Sequence, residues 1–403
     1  MSIEKYFKLK EVVLYIFGLF IFINFGIAEN LYYLMCLFLV IDIFYYKNKL
    51  ECGNEKIKKI ILFIVIFGTC WNYFADFNYR AARAFFKINR YFFFVFYLYP
   101  LIKKDKNILK NFFISMAGSY FILFLDGVNT YFIKKNAARY GGFYGIMVTA
   151  LISSMIGAFS FINLILAKLK IEKFISGVIF FSSIFLLVIS QTRAALLALV
   201  LAILCGIILT KNIKIIILTI VTGLISLGIF WKTPQAERFK SNTFNTKVSL
   251  NNMSNGLRVE MWKNAIWRYK QHYITGTGTK QDKKLFDEYV RNMKETTETE
   301  KRYKETFIRG FDDAHSMYLN NLVYNGIFAF FQFFFALVLI PMIVLKNYYS
   351  KYSLPILSTW ITYHIYAVVW SLNRGGSDPL IYWIMIGIIL SCPINNEKNI
   401  EVK

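Results

Sequence analysis

The sequence predicts an all-α, polytopic transmembrane helical bundle of about 12 spans, with one large, mostly helical loop on the outer side of the membrane. Two observations lead to this prediction. Hydrophobic residues make up 57% of the 403-residue chain and charged residues only 18%, which is more apolar surface than a soluble protein of this length buries. Apolar runs of about 17 residues or more also recur between short charged clusters, as membrane-spanning helices do.

The polar segment 232–314 divides the apolar runs into two groups. Spans are predicted at 11–28, 31–46, 58–75, 85–102, 109–125, 143–168, 172–190, 194–210, 213–231, 315–345, 354–371 and 378–392. The chain is therefore divided into spans 1–9 (1–231), the loop (232–314), and spans 10–12 with a tail (315–403). No small-residue cleavage site follows the first run, so it is predicted to stay as a span. The tenth run exceeds the bilayer thickness and is expected to tilt or project.

Lysine clusters predict the orientation of the bundle. They precede the first span and follow spans 2, 4, 6, 8 and 10. By the positive-inside rule these connections face the cytoplasm. Both termini are then inside, and the loop 232–314 is outside.

All twelve arginines fall on the outer side in this topology. They are Arg80, Arg83, Arg90, Arg139, Arg193, Arg238, Arg258, Arg268, Arg291, Arg302, Arg309 and Arg374. The planar guanidinium group binds phosphate in a bidentate way that an ammonium group does not. The asymmetry predicts an outer-leaflet site for a phosphate or diphosphate. The alternative for Arg80, Arg83, Arg90 and Arg291 is that they only solvate exposed faces.

Three short motifs on the outer side are candidates for binding a substrate: one at Arg193, one at Arg258 and Trp262, and one at Gly276 and Gly278. Arg193 interrupts two apolar runs at the membrane boundary, where a charge needs a function or a partner; the alternative is a snorkelling arginine at a helix end. Arg258 and Trp262 are four residues apart and share a helix face; the alternative is a helix that rests on the membrane. Gly276 and Gly278 permit a tight turn whose backbone N–H groups could bind an anion.

His315 closes the outer loop and opens the tenth span, directly after Asp312 and Asp313. Imidazole titrates near neutral pH, so a histidine at this boundary is a candidate general base. Either aspartate could orient it or raise its basicity. The alternatives are a structural histidine and a metal site. We predict no metal, because no second acidic cluster faces outward.

Other polar groups are weaker candidates. Arg139 and Arg374 each lie beside turn glycines on the outer side, where they could reach a phosphate. His364 lies within a span and His272 in the outer loop, and both are interpreted as structural.

The five scattered cysteines form no metal or disulfide pattern. The net charge of +23 lies in short loops, which indicates a lipid bilayer and not nucleic acid as the partner, with no cofactor predicted.

Together these motifs resemble the O-antigen ligase family, which shares a superfamily with the O-antigen polymerases. The resemblance lies in Gln191-Thr-Arg193-Ala-Ala-Leu-Leu, Arg258-x-x-x-Trp262, Gly276-x-Gly278 and Ala314-His315-Ser-x-Tyr318-Leu319-x-x-Leu322-x-x-x-Gly326, together with the span layout.

This resemblance implies a metal-independent, inverting glycosyltransferase at the periplasmic face of a bacterial inner membrane. The donor would be a glycan on undecaprenyl diphosphate and the acceptor a sugar hydroxyl of lipid A–core, in lipopolysaccharide biosynthesis. His315 would act as the base, and Arg193 and Arg258 would hold the diphosphate. Further substrate contacts are predicted at Arg139, Arg374, Trp262, Asp313 and Gly278.

Two other functions remain open from sequence. A polymerase of the same superfamily often carries outer-loop arginine and glycine residues ten positions apart, and no such spacing follows Arg139 or Arg258. A transporter of a lipid-linked or anionic substrate would show repeat symmetry and charges near the midplane. Here the arginines crowd one face, which favours the enzyme.

Overall fold

The computed structural model describes residues 2–47, 50–53, 55–77, 79–135, 139–212, 217, 228, 253–278, 283–309, 313–346, 352–372 and 377–391. Within these ranges the regular secondary structure is entirely helical, which confirms the predicted all-α class. The predicted ninth span, 213–231, falls almost wholly outside the described residues.

Seventeen α-helices are described in these ranges. They are α1 (Ile3–Phe20), α2 (Phe25–Phe44), α3 (Glu55–Asp76), α4 (Tyr79–Asn89), α5 (Phe93–Lys104), α6 (Asn107–Val128), α7 (Ile146–Leu166), α8 (Lys170–Ser190), α9 (Arg193–Thr210), α10 (Met253–Gln271), α11 (Lys283–Arg291), α12 (Glu298–Ile308), α13 (Met317–Asn325), α14 (Phe328–Phe334), α15 (Ile340–Lys346), α16 (Ser353–Val369) and α17 (Asp378–Ser391). A 3₁₀ turn (Arg90–Phe92) joins α4 to α5. π-Helical turns extend α6 (Asn129–Ile133) and join α14 to α15 (Phe335–Leu339).

Seven of the described helical stretches are long and apolar enough to cross a membrane. They are Phe25–Phe44, Glu55–Ala75, Asn107–Ile133, Ile146–Leu166, Lys170–Ser190, Arg193–Thr210 and Phe328–Lys346. Helix α17 is equally apolar but shorter. The chain is thus a multi-pass membrane protein, while the predicted total of about 12 spans stays a prediction.

The first predicted span, 11–28, is wrong at both ends. Helix α1 begins at Ile3 and carries Lys5 and Lys8 on its exposed side. Helix α2 then begins at Phe25, after the Asn24 side chain accepts a hydrogen bond from the Ile27 N–H group. Hydropathy marks the apolar residues, but the N-terminal cap fixes where the helix begins.

An ion pair is buried between α1 and α2. The Lys10 ammonium group lies 2.6 Å from a carboxylate oxygen of Asp42. The backbone carbonyl of Lys10 accepts a hydrogen bond from the Tyr97 hydroxyl. A charge inside an apolar bundle requires such a partner. The ion pair therefore joins α1 to α2, and the hydrogen bond from Tyr97 joins α5 to α1.

The predicted fourth span, 85–102, is also interrupted. The chain leaves α-helical geometry at Arg90–Phe92, where the Tyr32 hydroxyl donates to the Arg90 carbonyl and the Arg90 guanidinium pairs with Glu29. Arg90 is therefore a packing residue and not a freely solvated one. These contacts from α2 hold the turn between α4 and α5.

The tenth predicted span, 315–345, is divided at Gly326. Helix α13 ends there, and α14 follows at Phe328. Gly326 has a φ of 55°, and a Cβ atom at this position would collide with the carbonyl oxygen of Ile274. The long apolar run is therefore a short helix followed by a spanning one, instead of a single tilted span.

The described part of the polar segment is helical, as predicted. Met261 of α10, Phe286 and Val290 of α11 and Phe307 of α12 form a small buried cluster. Ala265 of α10 packs against a second cluster that includes Ala314. Helix α10 therefore connects the polar segment to the chain around His315. The predicted domain divisions stay predictions, because residues 229–252 lie outside the described ranges.

Candidate active site

His315 lies in a short loop, 313–316, directly before α13. Its φ of 48° is in the left-handed region, which non-glycine residues seldom occupy. The His315 N–H group donates to Asp313 Oδ1 at 3.0 Å. Such a backbone conformation persists only where surrounding contacts enforce it, and it is often found at functional sites.

Asp313 enforces that conformation. Its Oδ1 atom accepts hydrogen bonds from the Asn320 side chain at 2.7 Å and from the Ser371 hydroxyl at 2.5 Å, in addition to the His315 N–H group. Its Oδ2 atom lies 3.5 Å from His315 Nδ1. One carboxylate oxygen is thus used to build the loop, and the other faces the imidazole.

Two further contacts connect the loop to the end of α16. The His315 ring meets the Trp370 ring nearly edge-to-face, with centroids 5.1 Å apart and an interplanar angle of 67°. The Met317 N–H group donates to the Trp370 carbonyl at 3.1 Å. The rotation of the imidazole is therefore limited by Trp370 on one side and by Asp313 on the other.

Asn320 and Ser371 belong to this site, although the sequence analysis did not identify them. Asn320 donates to Asp313 and its Oδ1 atom accepts from the Ala314 N–H group at 3.1 Å. Its position five residues after His315, at the start of the helix that follows the loop, could have suggested a role beside it. Ser371 lies far along the chain and carries no sequence signal that indicates this contact.

Arg139 lies beside the turn that begins α9 with Arg193. Its Nε atom donates to the Ser190 carbonyl at 3.1 Å and its Nη2 atom to Thr192 Oγ1 at 3.3 Å. Gln191 makes this turn possible with a φ of 52°. The two predicted arginines, distant in sequence, therefore lie at the same end of the bundle.

Arg258 is partly buried on α10, near Tyr366 of α16. Burial lowers the pKa of the Arg258 guanidinium, and the nearby Tyr366 hydroxyl opposes that effect. Tyr366 also lies within electrostatic range of Arg139 and donates a hydrogen bond to the Met147 carbonyl at 3.1 Å. Tyr366 thus lies near two arginines that the sequence analysis singled out. An ordinary tyrosine in an apolar run gave no signal of this.

Trp262 is half-buried on the same helix as Arg258, one turn further along. Its Nε1 atom is buried and has no hydrogen-bond partner among the residues that the structure describes. A buried indole N–H group usually finds an acceptor. The geometry is compatible with the predicted substrate contact, which stays a prediction.

The turn at Gly276 and Gly278 has a structural role. The N–H groups of Gly276, Thr277 and Gly278 donate to the carbonyls of His272, Val323 and Tyr324 at 2.8, 2.8 and 2.9 Å. The turn thereby satisfies carbonyls at the end of α13. Each of these N–H groups has a protein acceptor, and the predicted substrate contact at Gly278 stays a prediction.

Residues 178–334 match the O-antigen ligase family model. The resemblance inferred from the motifs is confirmed over this stretch. A search among curated proteins found no match.

The O-antigen ligase match begins in α8 and ends in α14. It includes most of the predicted site: Arg193, Arg258, Trp262, Gly278, Asp313 and His315 all lie within it. Arg139 lies outside the match but is joined to it by its contacts with Ser190 and Thr192. The match therefore indicates a glycosyltransferase-type membrane enzyme.

Arg374 and Asp312 lie outside the described residues, so their predicted roles stay predictions. Of the other histidines, His364 is buried in α16, and its Nδ1 atom lies 2.7 Å from the Tyr318 hydroxyl. His272 is exposed in the turn after α10. No group of three or more His, Cys, Asp or Glu side chains in the described ranges is placed to hold a metal ion.

Proposed function

We propose that this chain is an O-antigen ligase-like glycosyltransferase. It moves a glycan from undecaprenyl diphosphate to a sugar hydroxyl of lipid A–core at the periplasmic face of a bacterial inner membrane. The observation that best supports this proposal is the His315–Asp313 pair, held by Asn320 and Ser371 within the stretch that matches the ligase family.

His315 acts as the general base in this mechanism. With an Nδ1 proton directed to Asp313 Oδ2, 3.5 Å away, the Nε2 atom receives the proton of the acceptor hydroxyl. The carboxylate fixes the tautomer and stabilises the imidazolium that forms. The hydroxyl oxygen forms a bond to the anomeric carbon of the donor from the face opposite the diphosphate, so the configuration inverts.

The arginines act on the leaving group. The bond between the anomeric carbon and the phosphate oxygen breaks, and its electron pair leaves with undecaprenyl diphosphate. Arg193 and Arg258, with Arg139 alongside, stabilise the growing negative charge without a metal ion. Partial burial of Arg258 strengthens this interaction, because less water screens the charge.

The same constellation would serve a polysaccharide polymerase, in which the acceptor is a second lipid-linked repeat unit. Both reactions need a base for a sugar hydroxyl and cations for a diphosphate. The two functions differ in the acceptor alone, so an acceptor competition separates them.

The test uses the purified full-length protein in EDTA with an undecaprenyl-diphosphate-linked glycan and two acceptors, lipid A–core and a second lipid-linked repeat unit. We expect transfer to lipid A–core, detected as a mass increase of one glycan. Chain growth on the second acceptor alone would establish the polymerase instead. Transfer to neither would contradict the enzymatic proposal.

A further inference from the structure

A cavity of about 330 Å³ lies beside α13. Its walls come from α4 and the turn at Arg90–Phe92, from α13, from the end of α14 with the π-helical turn that follows it, and from the start of α17, with residues of α2 and α3. It lies at the same end of the bundle as His315, since Leu372, next to Ser371, is also part of its wall.

The lining of this cavity combines amides with aromatic rings. Five amide side chains line it: Asn89, Asn320, Asn321, Asn325 and Gln332. An amide offers both donors and acceptors, as do the hydroxyl groups of a sugar. The rings of Tyr318, Tyr324, Tyr382 and Trp383 also line the cavity, and flat rings pack against the C–H-rich faces of pyranoses.

Two polar groups of this wall are available for a ligand. Asn321 is partly exposed, and its side chain makes no hydrogen bond with any residue that the structure describes. The ammonium group of Lys87 likewise forms no ion pair within the described ranges. By contrast, Arg90 is paired with Glu29 in the same wall. The cavity is therefore polar and incompletely satisfied where Asn321 and Lys87 face it.

Asn320 joins this cavity to the catalytic loop. Its side chain lines the cavity and also holds Asp313 and the Ala314 N–H group. Ser371, which donates to the same Asp313 oxygen, precedes the cavity residue Leu372. A ligand in the cavity would thus lie next to the wall that positions His315.

Helix α16 separates the cavity from Arg139 and Arg258. Tyr366 is near Arg139 and Arg258 on one face of this helix. His364, two residues earlier and so on nearly the opposite face, contacts Tyr318 in the cavity wall. Trp370, which follows α16, contacts the His315 ring. The histidine therefore lies at the end of the helix that divides the two regions.

We propose that this cavity binds a sugar ring of the acceptor, while the diphosphate of the donor binds on the arginine side. This inference rests on the proposed glycosyl transfer. It assigns Asn321 to acceptor recognition, through hydrogen bonds to sugar hydroxyls. Lys87 adds a cation at the same cavity, which suits an acidic or phosphorylated core sugar.

The experiment uses the full chain in detergent with deacylated lipid A–core oligosaccharide as a soluble probe. Binding to wild type, Asn321→Ala and Asn321→Trp is measured by titration calorimetry. The KM values for lipid A–core and for the donor are measured in the transfer assay. Asn292→Trp, an exposed asparagine in the polar segment, is the matched control. Thermal midpoints show whether each variant is folded.

We expect Asn321→Ala to weaken oligosaccharide binding and raise the KM for lipid A–core about fivefold, the loss of one neutral hydrogen bond. Asn321→Trp should abolish probe binding by filling the cavity, while the donor KM and Asn292→Trp stay at wild-type values. Unchanged probe binding and acceptor KM in a folded Asn321→Trp would overturn the cavity assignment, even with wild-type transfer intact. Absence of wild-type transfer would instead contradict the proposed function, and the calorimetry would still decide whether the cavity binds sugar.

Discussion

At the scale of single residues, the candidate site depends on the two oxygens of Asp313. One is occupied by three donors that fix the loop, and the other lies 3.5 Å from His315 Nδ1. The sequence indicated an aspartate beside His315 but could not decide between Asp312 and Asp313, nor name their partners. The partners Asn320 and Ser371 lie seven and fifty-eight residues away from Asp313 in the chain, and tertiary packing alone brings them there.

Replacing Asp313 by asparagine tests whether its two carboxylate oxygens have these separate roles. In Asp313→Asn an amide oxygen can still accept from the loop donors, but the amide NH₂ group would face His315 Nδ1 and favour the proton on Nε2. His315 would then have no unprotonated Nε2 atom to receive the proton of the acceptor hydroxyl. We expect kcat to fall on the order of a hundredfold, with the donor KM unchanged, as measured in the transfer assay across pH.

Ser371→Ala is the matched control for Asp313→Asn. It removes one donor from Oδ1 and leaves Oδ2 facing the imidazole. Its effect on kcat should be much smaller, with the pH profile preserved. Equal losses in both variants would show that Asp313 only maintains the loop.

At the scale of elements, the division of the tenth predicted span is the main departure from the sequence analysis. Apolar periodicity continues through Gly326, so hydropathy shows one long helix. The structure ends α13 there because the turn at Gly276 approaches within hydrogen-bond distance: the Ile327 N–H group donates to the Ile274 carbonyl at 3.0 Å. Only the packing of a distant glycine turn shows why Gly326 is needed.

Gly326→Ala should destabilise the fold. A Cβ atom would collide with the backbone of Ile274 and Gly276, and the left-handed φ of 55° adds strain. We expect a loss of about 2 kcal/mol or more, measured as a lower thermal midpoint in detergent.

Gly177→Ala serves as the control for Gly326→Ala. Gly177 lies within α8, and a Cβ atom there would meet only Leu164, at an ordinary 4.0 Å. Alanine favours the helix, so this variant should match or exceed wild-type stability. A wild-type midpoint in Gly326→Ala would contradict the close approach of the two turns.

At the scale of the whole molecule, composition was enough to predict the class and the membrane setting. Seven described stretches can span a membrane, and the predicted arginines at 139, 193 and 258 lie at one end of the bundle, where the structure also places His315. Composition could not separate binding residues from packing residues. Arg268 is 1% exposed and lies over the Phe286 ring, 5.7 Å from its centroid, so it packs within the polar segment.

The turn glycines also show that sequence alone does not separate binding residues from packing residues. The sequence suggests that Gly276 and Gly278 could bind an anion, but the Gly276 N–H group donates to the His272 carbonyl and the Gly278 N–H group to the Tyr324 carbonyl near the end of α13. Sequence shows that a turn needs glycine, whereas only the fold shows which acceptors its N–H groups meet. Tyr366 is the opposite case, since its position near Arg139 and Arg258 comes from helix packing and has no signal in the sequence.

The role of His315 as the base is tested most directly by the single-turnover rate of glycan transfer by His315→Asn at saturating donor and lipid A–core. Asparagine tolerates the left-handed backbone of this position but cannot accept a proton at neutral pH. His272→Asn, at an exposed histidine, is the control. We expect a rate lower by about 10²–10⁴-fold for His315→Asn, with donor binding intact and His272→Asn unaffected. A wild-type rate in His315→Asn would contradict the role of His315 as the base.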